Sequence, residues 1–260
     1  MRRVRKGEEP PCLDNVRWEV VRIEHESRAL LQEEGDPAPL ENSVLDDRWA
    51  EVKDNCKSAL RKALVRDQDG LCAYCGGRLK PDALDPNQLM KIEHFVPRAA
   101  DRDLILDWSN LLGCCPGRYR DLDGQIVEHC DSKRTDYEPG PPPRGLLHTH
   151  PVNSPVSPDQ LFTVNVTAKG AALGSIIPAT PEASADLKEL NLNAPRLVEN
   201  RAEAIRRLRV QLRNAGPRAR QLLQRTHTTA TTPGPEGLPP YAHVIAAYTA
   251  RKLQQYNVRA

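Results

Sequence analysis

Cys72-Ala-Tyr-Cys75-Gly-Gly is the strongest local signal in the chain. A Cys-x-x-Cys pair in a tight turn lets two thiolates converge on one ion, and the glycines let backbone N–H groups face the sulfurs. It is half a site, because structural zinc takes four ligands. The other half has to come from Cys114, Cys115, His129 or Cys130. Between the halves lies Ile92-Glu93-His94-Phe95-Val96-Pro97, an acid beside an imidazole in an apolar, strand-like run. On a regular strand the two side chains point to opposite faces, so the pair alone reads as an ion pair at a strand end. A bend would instead place a metal-seeking carboxylate beside a base. Asn110, set between Trp108 and Leu111-Leu112, is expected to be partly buried, and its amide, bonded across a loop, would fix that loop's shape. Asp131 follows Cys130 and could reach a second, hard cation. Lys133 and Arg134 could approach phosphate oxygens.

The order of these pieces says more than any one of them. Cys-x-x-Cys, then Glu93-His94, then Trp108-x-Asn110-Leu111, then Cys115, then Cys130-Asp131-x-Lys133 resembles the zinc-containing HNH endonucleases. The resemblance implies a β-hairpin followed by a helix, pinned by structural Zn²⁺ on Cys72, Cys75, Cys115 and Cys130. It implies His94 as general base and Glu93 and Asp131 as ligands of a separate catalytic Mg²⁺ or Mn²⁺. Asn110 becomes the loop anchor. Cys115 is preferred to Cys114 because the family's cysteine falls five residues after the Asn. Two departures stand out: fourteen residues separate Cys115 from Cys130 where the family usually has a second Cys-x-x-Cys, and Asp131 stands where Asn or His is common. The strings IEHFVPRA, LDWSNLLGCCPG and HCDSKR, with LKELNLNAPRLVENR downstream and MRRVRKGEEPP at the start, are similar to the HNH nuclease subunit of Septu-type and retron-associated anti-phage systems. That family works with an ATPase subunit, which the resemblance implies as a partner.

The chemistry implied is phosphodiester hydrolysis. A neutral His94 deprotonates a water, a step worth ~10²- to 10⁴-fold, and carboxylate-held Mg²⁺ or Mn²⁺ relieves charge on the phosphate. DNA is the favoured substrate. The competing readings are an RNase acting on tRNA through the same site, and a non-catalytic zinc module that binds nucleic acid or protein through the cysteines alone. A thiol redox role for Cys72 and Cys75 lacks the expected βαβ context.

The elements that must position these residues read as an α+β fold. It is mostly helical, with a zinc-bound ββα-metal core and long proline-rich connections. Three stretches are expected: an N-terminal strand and helix segment at 1–70, the nuclease core at 71–138, and a C-terminal part at 139–260 that offers a partner interface. Near-alternation of Val16, Trp18, Val20, Val21 and Ile23 suggests a short strand. Trp49, Val52, Cys56, Leu60 and Ala63 predict a helix over 48–66, capped by Asp46 or Asp47 and ended by Gly70, with Cys56 a buried core residue. Residues 139–160 are proline-dense and read as an irregular crossing. Residues 161–177 read as two short strands about Lys169-Gly170. Helices are expected at 196–213, from Gly216-Pro217 to about Arg225, and at 241–255, with 226–240 as a linker.

Composition sets the bounds. The chain has 260 residues, 39% of them hydrophobic and 28% charged, enough for a modest core. The 23 prolines favour irregular connections. Net charge is only +2, but Arg196 to Arg225 holds nine arginines and two glutamates, a stripe able to neutralise phosphates. No stretch approaches the ~20 apolar residues of a membrane span. The basic start is not followed by an apolar run, so a soluble, cytoplasmic protein is expected. Seven cysteines, five of them within 72–130, favour metal binding over disulfides.

Overall fold

A computed structural model describes residues 1–33 and 48–258. Among them the fold is mixed, with mostly helices and three two-stranded antiparallel sheets. The helices are α1 (Pro11–Glu33), α2 (Asp54–Asp67), α3 (Pro158–Leu161), α4 (Pro181–Glu189), α5 (Pro195–Ala215), α6 (Ala219–Thr231) and α7 (Ala242–Val258). The strands are β1 (Lys91–His94), β2 (Leu111–Cys114), β3 (Arg118–Arg120), β4 (Ile126–Glu128), β5 (Phe162–Val164) and β6 (Ile176–Pro178), paired in sequence order.

The suggested strand at Val16–Ile23 is helix. Leu13, Val16 and Val20 recur at spacings of three and four and turn inward, while Trp18 and Val21 are exposed. The helical period therefore wins over the apparent alternation. Helix α2 begins at Asp54, after a turn carrying Trp49 and Val52, and buries Cys56, Leu60, Ala63 and Leu64. The proposed caps Asp46 and Asp47 lie outside the described residues. Cys56 is buried as expected and is also joined to Cys12, whose Cα lies 5.7 Å away, a pairing the cysteine spacing did not suggest. Gly70 closes the helix with a positive φ of 78° and an N–H bonded to Val65 O.

The end of α2 ties directly to β2. Gln68, fully buried, accepts from Gly113 N (2.6 Å) and donates to Gly113 O and Leu71 O (2.8 Å each). Gly113 sits in close packing: a Cβ there would meet Met90 Cε at 2.8 Å, so that side chain would have to shift. This bond pair holds the β1–β2 ladder, in which Glu93 faces Leu112 and His94 faces Leu111, against the helix.

Residues 116–129 do not disperse the cysteines. They fold into the β3–β4 hairpin, whose Asp121 side chain bonds the turn's own N–H groups at Asp123 and Gln125. The hairpin returns Cys130 to Cys115. The helix expected to start at Cys130 is a single 3₁₀ turn, Cys130–Lys133. Residues 139–157 are irregular, as their prolines dictate. Helix α4 was missed, although Thr180 caps it through a bond to Ala183 N and Pro181 sits in its first turn. Helix α6 runs to Thr231, into the supposed linker. Among the described residues no helix is long and apolar enough to cross a membrane.

Candidate functional site

The knuckle turn is built by its own backbone. Cys72 N donates to Gly77 O (2.8 Å), Gly76 N to Cys72 O (3.1 Å), and Gly77 N approaches Cys75 Sγ (3.4 Å). Gly76 holds a φ of 74°, and a Cβ on it would strike the ring of His243, from α7, at 2.7 Å. Across from it, Gly117 accepts the N–H of His129, and Cys130 is held at a φ of 53° with its N–H on Leu190 O. Such a left-handed φ costs a non-glycine residue ~1 kcal/mol, so the surroundings must impose it.

These turns bring four sulfurs together. The Sγ atoms of Cys72, Cys75, Cys115 and Cys130 all lie within 4.8 Å of one another, the one grouping of three or more such ligands among the described residues. Cys114 is buried beside the set but outside it. His129 also stays outside, with Nδ1 3.3 Å from Cys130 Sγ and 4.0 Å from Cys115 Sγ. The four cysteines could hold a metal ion such as zinc, which thiolates suit at tetrahedral spacing. Burial raises the Cys130 thiol well above its usual range; burial also acts against the Cys72 thiolate, but hydrogen bonds from the surrounding thiols outweigh it and pull Cys72 well below its usual range. A buried cation faces the cluster. Arg201 of α5 is wholly buried, bonds Gly174 O and Leu192 O, and keeps one Nη without a partner. Burial pulls Arg201 down to about 10, and Cys75 and Cys130 pull it back up. A tetrathiolate zinc centre carries a net negative charge, so this cation suits it.

A cleft of about 810 Å³ lies along β1 and is lined by both Glu93 and His94. The His94 Nε2 lies 3.0 Å from Ile105 O. A carbonyl only accepts, so Nε2 carries the proton and Nδ1 is left as the basic nitrogen. Trp49 packs edge-on against the ring at 4.6 Å. Burial pushes His94 down to about 4, so it is neutral at pH 7. Asn110 staples the 95–110 loop that presents Ile105: its Oδ1 accepts from Val96 N (2.7 Å), and its Nδ2 donates to Val96 O (3.1 Å) and Leu104 O (2.9 Å).

Glu93 and Asp131 meet carboxyl to carboxyl. Burial and the neighbouring Asp131 raise Glu93 well above the carboxylate range; burial also opposes Asp131's charge, yet the bond from Glu93 and the Lys91 ammonium keep it below. Two carboxylates that share a proton when no cation lies between them have the donor chemistry of a hard divalent ion. They are a pair and not a trio, so such an ion would take its remaining ligands from substrate and water.

Arg134 lines the same cleft, but its donors are turned to protein acceptors. Its side chain is only 6% exposed, and all five N–H donors are committed. Nε and Nη2 bond Gly145 O (2.9 and 2.8 Å), Nη1 bonds Glu93 Oε1 (2.7 Å) and His94 O (3.0 Å), and Nη2 bonds Phe95 O (2.7 Å). These bonds tie Glu93, the backbone at His94 and Phe95, and Gly145 together. Lys133 is exposed and does not line the cleft. The other cations that line it are Lys91, bonded to Asp131 Oδ2 (3.0 Å) and Ser132 Oγ (2.7 Å), and Arg98. Both were missed. Lys91 was detectable as the position two before Glu93, on the same face of a strand.

Over 59 residues the chain is 32% identical to the Septu protein PtuB of Bacillus thuringiensis. That match covers 23% of this chain and 21% of PtuB. No family model matches the chain.

Proposed function

We propose that this chain is a metal-dependent HNH-type endonuclease that hydrolyses phosphodiester bonds of nucleic acid, DNA above all. By its likeness to PtuB we take it to be the nuclease effector of a Septu-like anti-phage assembly with an ATPase subunit. The observation that supports the reading is the setting of His94: Nε2 is bonded to Ile105 O, which leaves Nδ1 as the basic nitrogen of a ring that lines one cleft with Glu93 and Asp131.

His94 accepts the proton of the attacking water at Nδ1. Burial keeps it neutral for that task, and Ile105 O keeps the ring from rotating. Glu93 and Asp131 would hold a Mg²⁺ or Mn²⁺ ion. That ion, when bound, supplies Lewis-acid relief of charge on the scissile phosphate and the leaving 3′ oxygen. Lys91 holds Asp131 in place, and Arg134 fixes Glu93 and the His94 backbone together. Zinc on Cys72, Cys75, Cys115 and Cys130 would be structural, since four thiolates leave no place for substrate.

Supercoiled plasmid and tRNA, each incubated with the full chain and Mn²⁺, test the reading. We expect plasmid nicking that disappears when Mn²⁺ is omitted. Cleavage of tRNA alone would assign the site to RNA. No cleavage of either, with zinc bound, would favour the non-catalytic zinc module.

A further inference from the structure

A second groove, of about 710 Å³, lies between the β5–β6 connection and the helices α5, α6 and α7. Five cations line it: Lys169, Arg209, Arg213, Arg251 and Lys252. Among the described residues no Asp or Glu lines it. This resolves the arginine stripe of α5 into distinct parts. Arg206 and Arg207 are paired with Glu199 and Glu203, and Arg201 is buried. Arg209 and Arg213 turn into the groove. Arg209 donates to Val166 O (3.0 Å) with its guanidinium 5.8 Å from the centre of the Tyr248 ring, which fixes it along the wall. The floor is apolar and aromatic, formed by Val166, Leu212 and Tyr248, and Tyr256 stands 40% exposed among the wall residues.

We propose that this groove binds single-stranded nucleic acid, with phosphates on the cationic rim and bases on the apolar floor. The floor decides between strand states. A duplex buries its bases and needs only the cations, whereas a single strand presents base faces that stack on Tyr and Arg. The role of the groove in turnover rests on the nuclease reading above; the binding itself does not.

The test is fluorescence anisotropy of a labelled 12-nucleotide single strand with the full chain and no added divalent cation. Arg213→Glu with Arg251→Glu, two exposed positions, is expected to weaken binding at least ~10-fold and to reduce the salt slope by about 1.4, at ~0.7 per phosphate contact. Arg206→Glu with Arg207→Glu, made on the same helix α5 outside the groove, is expected to change binding less than ~2-fold. Circular dichroism confirms that both variants are folded. Equal losses in the two double variants, or no loss at Arg213 and Arg251, would overturn the proposal. So would a duplex of the same length binding as tightly, or polyglutamate competing as well as the oligonucleotide; the latter would assign the groove to an acidic protein. If the chain proves not to be a nuclease, groove-dependent binding persists without turnover. If it is one, the groove variant raises KM on long substrate and leaves kcat unchanged.

Discussion

The Nε2 of His94 lies 3.0 Å from the carbonyl oxygen of Ile105, and the loop that carries that carbonyl is pinned by the Asn110 carboxamide at Val96 and at Leu104, the residue before Ile105. A ring nitrogen, the loop that carries its carbonyl partner and a buried amide form one chain of restraint. The orientation of the His94 ring therefore depends on a residue that does not line the cleft.

Asn110→Ala removes all three loop bonds and leaves Val96 N, Val96 O and Leu104 O without the carboxamide. We expect a loss of about 3 kcal/mol in stability, since each unpaired buried group costs ~1–3 kcal/mol. Denaturant unfolding reads the loss, and cleavage kinetics should show kcat falling more than KM rises. A variant of wild-type stability would remove Asn110 as the anchor.

Arg134→Lys keeps the charge and loses the fork that spans Glu93, His94 O, Phe95 O and Gly145 O. Breaking a buried ion pair costs ~3–5 kcal/mol when a partner is lost outright, as in Arg134→Ala. For Arg134→Lys we expect a lower kcat with KM for nucleic acid little changed. A large rise in KM with kcat intact would mean that this guanidinium does reach phosphate.

Metal content separates the neighbouring cysteines. Cys115→Ser and Cys130→Ser are expected to lose most of about one zinc per chain and, because site formation is part of folding, to melt earlier. Cys114→Ser should retain its zinc, as its sulfur stands outside the set. Equal metal loss in Cys114→Ser and Cys115→Ser by elemental analysis would contradict that placement.

The adjacent cysteines show what the sequence carried. Cys72 and Cys75 were legible from ligand chemistry, and Asn110 from the need to satisfy a buried amide. Ligand chemistry alone left Cys114, Cys115, His129 and Cys130 open; the family's spacing of five residues after Asn110 favoured Cys115, and the sulfur positions agree. Arg134 was legible as a cation of the cleft but not as a clamp on Glu93 and the His94 backbone, because an arginine three residues after Asp131 reads equally well as a phosphate contact or as an inward clamp. Only burial separates the two. The Val16–Ile23 stretch failed for a related reason: both periods fit it locally, and the packing of Leu13 and Val20 chose the helix.

Acidification should destabilise the fold through its buried neutral histidines. Burial holds His94 and His150 at about 4 and His243 well below its ordinary value. The unfolded chain takes up these protons near pH 6.5 and the folded chain does not. Stability is therefore fully present above about 6.5 and falls as pH drops towards 4, by at most ~1.4 kcal/mol per histidine per pH unit and by less for the half-buried His150. Thermal melts between pH 7 and 4.5 should show this slope, reduced in His150→Gln. A variant with the same slope as wild type would remove His150 from the account.

The most direct test of the central claim is the single-turnover cleavage rate of His94→Ala on plasmid DNA with Mn²⁺, measured beside its zinc content and melting curve. The account predicts zinc retained, a folded protein, and a rate at least ~10²-fold below wild type. A folded, zinc-loaded variant that cleaves as fast as wild type would contradict it.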